Sequence, residues 1–134
     1  IESVPGYIDN IDYTVTDQIS LIEYANGTHT DYTYNANTLR LASLQTNDGD
    51  IQNLSYTFDG VGNITQIADS QYSNTQNFTY DSLSRLTEAT GNYGTLNYDY
   101  DSIGNILSKD AKTYSYNSSK PHAVTDLSDG TESP

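Results

Sequence analysis

Aromatic and polar residues alternate over short stretches along most of the chain. In Tyr56-Thr57-Phe58 the two rings are two residues apart, so an extended strand places both rings on one face and the threonine on the other. The same pattern recurs at Phe78-Thr79-Tyr80 and at Tyr98-Asp99-Tyr100. A phrase that recurs at nearly regular spacing is typical of a repeat architecture. The pattern therefore predicts repeated strands, each with an apolar and a polar face.

Each of these phrases ends in an aspartate that begins a turn signal. Asp59-Gly-Val-Gly62 and Asp101-Ser-Ile-Gly104 suit a three-residue hairpin loop, because aspartate caps nearby N–H groups and glycine supplies the left-handed conformation that closes the loop. The middle copy carries Ser84 in place of glycine, at a strain of about 1 kcal/mol. We therefore expect three hairpins, of which the one at Ser84 is the weakest.

More diverged copies of this unit flank the three hairpins. Asn26-Gly27 lies between two alternating stretches and is a strong hairpin signal. A copy without glycine begins at Tyr32-Thr-Tyr34, and the last copy, Tyr114-Ser-Tyr116, runs into Pro121. The second aromatic residue of successive copies falls at 34, 58, 80, 100 and 116, so the spacing shrinks from 24 to 22, 20 and 16 residues. Because the hairpin phrase hardly changes, the connections between hairpins must shorten.

The hairpins predict an all-β fold, an antiparallel meander of roughly ten to twelve short strands built from tandem hairpin repeats. No stretch longer than a turn has helical period. We expect an irregular lead-in at residues 1–10, a repeat sheet of about five to six hairpins at 11–127 and a disordered tail at 128–134. Ile1 in place of Met indicates a processed product or an excerpt of a longer chain. The two open edges, near Tyr13 and Val124, are expected to pair head-to-tail between copies.

The composition limits both the core and the partners. Only 34% of the 134 residues are hydrophobic, yet 13 are tyrosine, so amphipathic rings must bury most of the apolar surface. Five basic against 18 acidic residues give a net charge of −13, which disfavours binding to nucleic acid and to anionic membranes. No apolar run is long enough to span a bilayer. The chain has no cysteine and therefore no disulfide, thiolate nucleophile or cysteine metal site.

The repeated phrases resemble the RHS or YD-repeat family. The resemblance rests on the two Asp-x-x-Gly-Asn-Ile phrases, on Tyr80-Asp81-Ser-Leu-Ser-Arg85-Leu86, on Glu23-Tyr24-Ala-Asn26-Gly27-Thr28 and on Lys120-Pro121-His122-Ala123-Val124, and it covers roughly residues 11–125. It implies a curved β-sheet strip of an RHS-type shell that encloses or displays other domains, as in Tc toxin complexes, bacterial polymorphic toxins and teneurins. It also implies an extracellular or cell-surface location. The self-cleaving segment and toxin of that family are not visible in this sequence, so neither activity is carried over.

Alternatives to a structural role have weaker support in the sequence. Stacked aromatic faces could bind sugars, but rings at the same position in every copy are what packing requires. Asp48 with Asp50, and Asp99 with Asp101, are the obvious acidic pairs for calcium, yet no loop has the spaced ligands of a recognised calcium site. A Ser-His-Asp hydrolase would have to use His29 or His122, and no Gly-x-Ser-x-Gly elbow is present.

The sequence therefore predicts no catalytic, cofactor-binding or metal site, and the chain is not expected to be an enzyme. Two functions remain open: a non-catalytic module of an RHS-type shell, and a self-assembling extracellular fibre or adhesive, carbohydrate-binding surface protein. Expected partners are neighbouring repeats or other copies of the chain through edge strands, with glycan contact as a further option. The candidate residues are the structural repeat positions: Tyr32, Tyr34, Tyr56, Phe58, Asp59, Gly62, Asn63, Phe78, Tyr80, Asp81, Arg85, Tyr98, Tyr100, Asp101, Gly104, Asn105, Tyr114 and Tyr116.

Overall fold

A computed structural model describes residues 2–129, and in that range it is all β. The predicted antiparallel meander of tandem hairpins is confirmed, with twelve strands. The strands are β1 (Ile8–Tyr13), β2 (Ile19–Tyr24), β3 (His29–Tyr34), β4 (Leu41–Thr46), β5 (Gln52–Phe58), β6 (Ile64–Asp69), β7 (Asn74–Tyr80), β8 (Leu86–Gly91), β9 (Gly94–Tyr100), β10 (Ile106–Lys109), β11 (Lys112–Ser115) and β12 (Asp126–Asp129). No helix that could cross a membrane occurs between residues 2 and 129.

The chain forms two compact units, Ile1–Gln76 and Asn77–Pro134. The first contains β1 to β6, and the second contains most of β7 and all of β8 to β12. Within each unit, every strand pairs antiparallel with the next strand along the chain. This order follows from the short connections, because strands that are joined by short turns usually pair with each other.

The hairpins share one register. Phe58 at the end of β5 faces Ile64 at the start of β6, and one extra residue on the return strand then shifts the pairing, so that Tyr56 faces Ile67. The same β-bulge follows the turns after β3, β7 and β9. A bulge at a fixed place increases the local twist and re-aims the side chains beside it. Each of these hairpins therefore has the same irregularity in pairing next to its turn.

The hairpin β1–β2 contains a turn of this kind that the sequence analysis missed. Thr14 takes the place of the aspartate, and its Oγ1 accepts hydrogen bonds from the N–H groups of Thr16 and Gln18, both at 3.2 Å. Asp17 takes the place of the glycine with φ of 59°, and Tyr13 pairs with Ile19 across the hairpin. The turn was overlooked because neither of its two diagnostic residues is present. The turn predicted at Asn26-Gly27 does join β2 to β3, and Gly27 has φ of 84°.

The connections at the other end of the hairpins shorten along the chain up to β9, as the spacing predicted, whereas the last decrease in spacing comes from shorter strands, because β10 and β11 have only four residues each. Five residues separate β4 from β5, four separate β6 from β7, and two separate β8 from β9 and β10 from β11. Such short connections have few residues of their own, so most side-chain contacts are made by the strands and turns of the hairpins.

The core is thin, as the composition predicted. Ala89 is the one buried apolar residue in the described range, and none of the large side chains there is fully enclosed. The burial pattern of β7 and β9 alternates, with half-buried Phe78, Tyr80, Tyr98 and Tyr100 on one face and exposed polar residues on the other. Stability must therefore depend on hydrogen bonds and on partly buried rings more than on aliphatic packing.

The ends of the sheet differ from the expected boundaries. β1 begins at Ile8, inside the expected lead-in, and β12 includes Ser128 and Asp129 of the expected tail. β12 pairs over four residues with β11, and Lys112 Nζ lies 3.3 Å from Asp129 Oδ1. The sequence predicts the last strand near Val124, and β12 begins two residues later, because backbone pairing with β11 and an ion pair need no apolar alternation that would mark the strand. The rest of the expected tail, residues 130–134, lies outside the described residues.

Candidate functional site

The aspartates of the repeats cap their own turns. Asp59 Oδ1 accepts hydrogen bonds from the N–H groups of Val61, Gly62 and Asn63 at 3.1, 2.7 and 2.9 Å, and the Asn63 side-chain amide donates to Asp59 Oδ2 at 2.8 Å. The carboxylate therefore satisfies the N–H groups that a tight turn leaves without partners.

The other two aspartates act in the same way. Asp81 accepts the N–H groups of Leu83 and Arg85 at 2.9 and 3.0 Å, and Arg85 Nε lies 2.6 Å from Asp81 Oδ2. Asp101 accepts the N–H of Asn105 at 2.8 Å and its side-chain amide at 2.7 Å. In all three turns, the side chain of the residue that closes the turn donates a hydrogen bond to the aspartate carboxylate that opens it.

These donors lower the pKa of all three aspartates. Partial burial raises the pKa of Asp59 and Asp101, but in each case side-chain and backbone N–H donors, led by those of Asn63 and Asn105, outweigh it. For Asp81, the backbone N–H of Arg85 lowers the pKa most, burial opposes it, and the Arg85 guanidinium adds to the lowering. The turns are therefore built around ionised carboxylates.

Acid should weaken these turns. A carboxyl whose pKa is lower in the folded than in the unfolded chain stabilises the fold above the unfolded value, about 3.9, and this contribution is lost as the pH falls through the folded value. We expect the urea midpoint of the chain to fall between about pH 5 and pH 2.5. An Asp101→Asn variant keeps an oxygen acceptor but does not titrate, so its midpoint should fall less than that of the parent. Equal pH dependence of parent and variant would contradict a role for the ionised Asp101.

The left-handed position of each turn is occupied as predicted. Gly62 and Gly104 have φ of 111° and 94°, and Ser84 has φ of 59°. In the turn after β3, Leu39 has φ of 56°, one residue later than the pattern of the other turns, so that turn is one residue longer. The tandem copies thus tolerate a side chain at this position, at the strain expected for the left-handed region.

In four of the turns, the residue that follows the left-handed position reaches the next turn or loop along the chain. Four such contacts, which we call forward links, join a side chain to a backbone carbonyl of the following turn or loop. They are Gln18 Nε2 to Leu39 O at 2.8 Å, Arg40 Nη1 to Asp59 O at 3.1 Å, Arg85 Nη1 to Asp101 O at 2.9 Å, and Asn105 Nδ2 to Pro121 O at 2.9 Å. Arg85 and Asn105 are among the repeat positions predicted from the sequence, whereas Gln18 and Arg40 are not, because residues 14–18 carry no turn signal and no aspartate opens the turn before Arg40.

The second tyrosine of a repeat makes a bond in the opposite direction. Three such contacts, which we call return links, join a tyrosine hydroxyl to the carbonyl of the first residue in the preceding return strand. They are Tyr34 to Ile19 at 2.7 Å, Tyr100 to Leu86 at 2.9 Å and Tyr116 to Ile106 at 2.9 Å. Phe58 stands at the same place in its own hairpin and has no hydroxyl to donate. Burial raises the pKa of Tyr100, which keeps its hydroxyl protonated as the donor.

Three of the five basic residues lie over aromatic rings. The charged groups of Arg40, Arg85 and Lys109 are 5.6, 4.7 and 5.7 Å from the ring centroids of Phe58, Tyr100 and Tyr98, respectively. A cation at this distance is attracted to the ring face. The scarce basic residues are therefore concentrated where they bind the aromatic face of the repeats.

The Lys-Pro-His segment closes the series of links. Asn105, which is only 7% exposed, donates to Pro121 O, and its Oδ1 lies 2.7 Å from His122 Nδ1. Since the Asn105 amide nitrogen is donating to Asp101 and Pro121, its oxygen is the acceptor and His122 Nδ1 the donor. The segment thus docks where a further hairpin turn would follow.

The residues considered for calcium binding and hydrolysis are held in other contacts. Asp99 accepts from Ser108 at 3.0 Å, while Asp101 caps its turn. His29 Nε2 lies 3.4 Å from Asp31 and 3.7 Å from Asp48. Within residues 2–129, no group of three or more histidines and acidic residues is placed to hold a metal ion.

Comparison with known proteins gives likeness in structure alone. No family model and no curated protein matches the sequence. A crystal structure of TcdB2-TccC3-Cdc42 matches with TM-score 0.68 and 27% identity, over 81% of this chain and 7% of the matched chain. The Photorhabdus luminescens Tc holotoxin pore with a TccC3 mutation matches with TM-score 0.69 and 26% identity, over 77% of this chain and 6% of the matched chain. TcdB2-TccC3 without its hypervariable C-terminal region matches with TM-score 0.67 and 25% identity, over 88% and 7%.

Proposed function

We propose that this chain, whose sequence and fold are those of RHS/YD repeats, is a non-catalytic structural module of a secreted or cell-surface protein. In this role, its repeats contribute to a β-sheet shell that encloses or displays other domains. The chain spans only 6–7% of the length of the Tc toxin chains that it resembles, so the shell belongs to the larger protein.

The observation that carries this proposal is the use of the repeated polar and aromatic residues. The aspartates cap turns, the residues that close the turns make forward links, and the second tyrosines make return links. A catalytic or binding site would need such groups to be available to a substrate at one place. Here the same groups join one repeat to the next, which favours a scaffold and leaves the chain without a proposed enzymatic activity.

The size of the intact gene product tests this role. A shell module should belong to a protein many times longer than 134 residues, whose purified particles enclose a cavity in electron micrographs. Mass spectrometry of the natural product, followed by negative-stain imaging, would measure both properties. A short secreted product without a hollow particle would contradict the proposal and favour a fibre subunit.

The self-assembling fibre is the second candidate, and the terminal strands favour it. Every residue of β12 is exposed, and an uncovered edge strand can recruit another strand. Asp126 and Asp129 of β12 and Asp9 and Asp12 of β1 make both edges acidic, so pairing between copies brings like charges together. In a longer chain, neighbouring repeats would cover the same edges.

We therefore expect the isolated chain to associate head-to-tail more strongly as salt rises. Salt screens exposed charges beyond about 10 Å at 0.1 M ionic strength, which removes the repulsion between the acidic edges. Sedimentation velocity across a salt series would measure the association. An Asp126→Lys variant, whose last strand has no net charge, should associate at lower salt than the parent. A strict monomer at high salt and high concentration would contradict edge pairing.

A further inference from the structure

A cleft of about 410 Å³ opens in the first unit beside the one described hairpin that lacks the tyrosine hydroxyl. Phe58 lines it, together with Leu41 on β4, Tyr56 on β5 and Arg40 in the turn between β3 and β4. We propose that this cleft binds a neutral saccharide, which supplies the hydroxyl that the hairpin lacks. The volume falls within the usual range for small-molecule sites, about 300–1,000 Å³.

The hairpin of Phe58 lacks the return link that other repeats have. In the equivalent places of other repeats, the carbonyls of Ile19, Leu86 and Ile106 each accept a tyrosine hydroxyl. Leu41 is the matching first residue of β4, and no side chain between residues 2 and 129 donates to its carbonyl. Because Phe58 and Leu41 both line the cleft, a hydroxyl-bearing ligand can occupy the position of the absent tyrosine oxygen.

Both aromatic and polar side chains surround that position. The rings of Tyr56 and Phe58 give a saccharide ring an apolar surface on which its C–H face can pack. Asn35 and Thr38 line the same cleft from the turn, and their side chains carry N–H and O–H donors of the kind that bond sugar hydroxyls. Aromatic surface combined with several donors and acceptors is the chemistry that recognises a polyhydroxylated ring.

The charges favour a neutral ligand. The Arg40 guanidinium is already shared between the Phe58 ring and the Asp59 carbonyl, and Asp59 also lines the cleft. The chain as a whole carries a charge of −13, which repels anions. A phosphate or an acidic sugar would therefore find only Arg40 as a cation, already in contact with other groups, and would be repelled by the negative charge of the chain. A neutral sugar is not repelled in this way.

The test is an amide-resolved NMR titration of the full chain with cellobiose and with N,N′-diacetylchitobiose. We expect the amide signals of Arg40, Leu41 and Asp59 to shift and to saturate with a Kd on the order of 1 mM for at least one of the two sugars. Inorganic phosphate should leave these signals in place. Absence of saturation by both sugars up to about 50 mM would overturn the proposal, as would stronger shifts with phosphate, which would indicate an anion site at Arg40.

A reciprocal pair of variants separates binding from folding. Phe58→Tyr installs the missing hydroxyl, so it should raise Tm by about 3 °C and weaken saccharide binding at least tenfold. Tyr100→Phe removes a return link in the second unit, so it should lower Tm and leave saccharide binding unchanged. If Phe58→Tyr binds like the parent, the ligand does not occupy the place of the hydroxyl and the proposal is wrong. Thr38→Ala, in the exposed turn, gives an independent check, since it should weaken binding severalfold with little change in Tm.

Discussion

Gly62→Ala should destabilise the chain by about 2–3 kcal/mol, the larger of two glycine effects that the turns predict. Gly62 has φ of 111°, where any side chain is strained by about 1–2 kcal/mol. In addition, a Cβ at Gly62 would lie 2.7 Å from Arg40 Nη2, so the guanidinium must move. That movement would weaken both its bond to the Asp59 carbonyl and its contact with the Phe58 ring.

Gly104→Ala is the matched control for this substitution. Gly104 occupies the same position of its turn with φ of 94°, but a Cβ there would meet no atom within 4 Å. Its cost should be the backbone strain alone, about 1 kcal/mol. Urea unfolding of the two variants measures the difference. Equal losses would mean that the position of Arg40 against Gly62 contributes nothing to stability.

Arg85→Ala should cost about 2–3 kcal/mol, because one side chain makes three contacts. Its Nε meets Asp81 at 2.6 Å, its Nη1 donates to the Asp101 carbonyl at 2.9 Å, and its guanidinium carbon lies 4.7 Å from the centre of the Tyr100 ring. Arg85→Lys should recover only part of this loss, since an ammonium cannot reproduce the planar fork that makes the three contacts together. Thermal and urea unfolding would measure both variants.

Lys112→Ala provides the comparison with an ordinary surface charge. Lys112 pairs with Asp129 at 3.3 Å, and the two side chains are 52% and 62% exposed. Exposed ion pairs of this kind contribute about 0–1 kcal/mol, so this variant should unfold close to the parent. Losses of similar size in the Arg85 and Lys112 variants would contradict the special role of the forward link.

The local chemistry of the hairpins could be predicted from the sequence. An aspartate caps N–H groups two to four residues ahead, and glycine adopts the left-handed conformation by itself, so both signals are contained in one short phrase. Their repetition then determined the strand order, because strands joined by short turns pair with their neighbours. The all-β class and the hairpins at Asp59, Asp81 and Asp101 could be predicted for this reason, and the thin aromatic core followed from the composition, in which 34% of the residues are hydrophobic and 13 are tyrosine.

The tertiary structure decided how successive repeats bind one another. The forward and return links join residues 10 to 21 positions apart, and which carbonyl a side chain reaches depends on the bulge and twist of two hairpins together. Nothing in the local pattern of Gln18 or Arg40 indicates such a bond. The cleft at Phe58 could not be predicted from the sequence either, because in the sequence Phe58 is one more aromatic residue at a repeat position. The absence of a hydroxyl on Phe58 matters only because the Leu41 carbonyl lies nearby, and it is the sheet that brings these two residues to the same cleft.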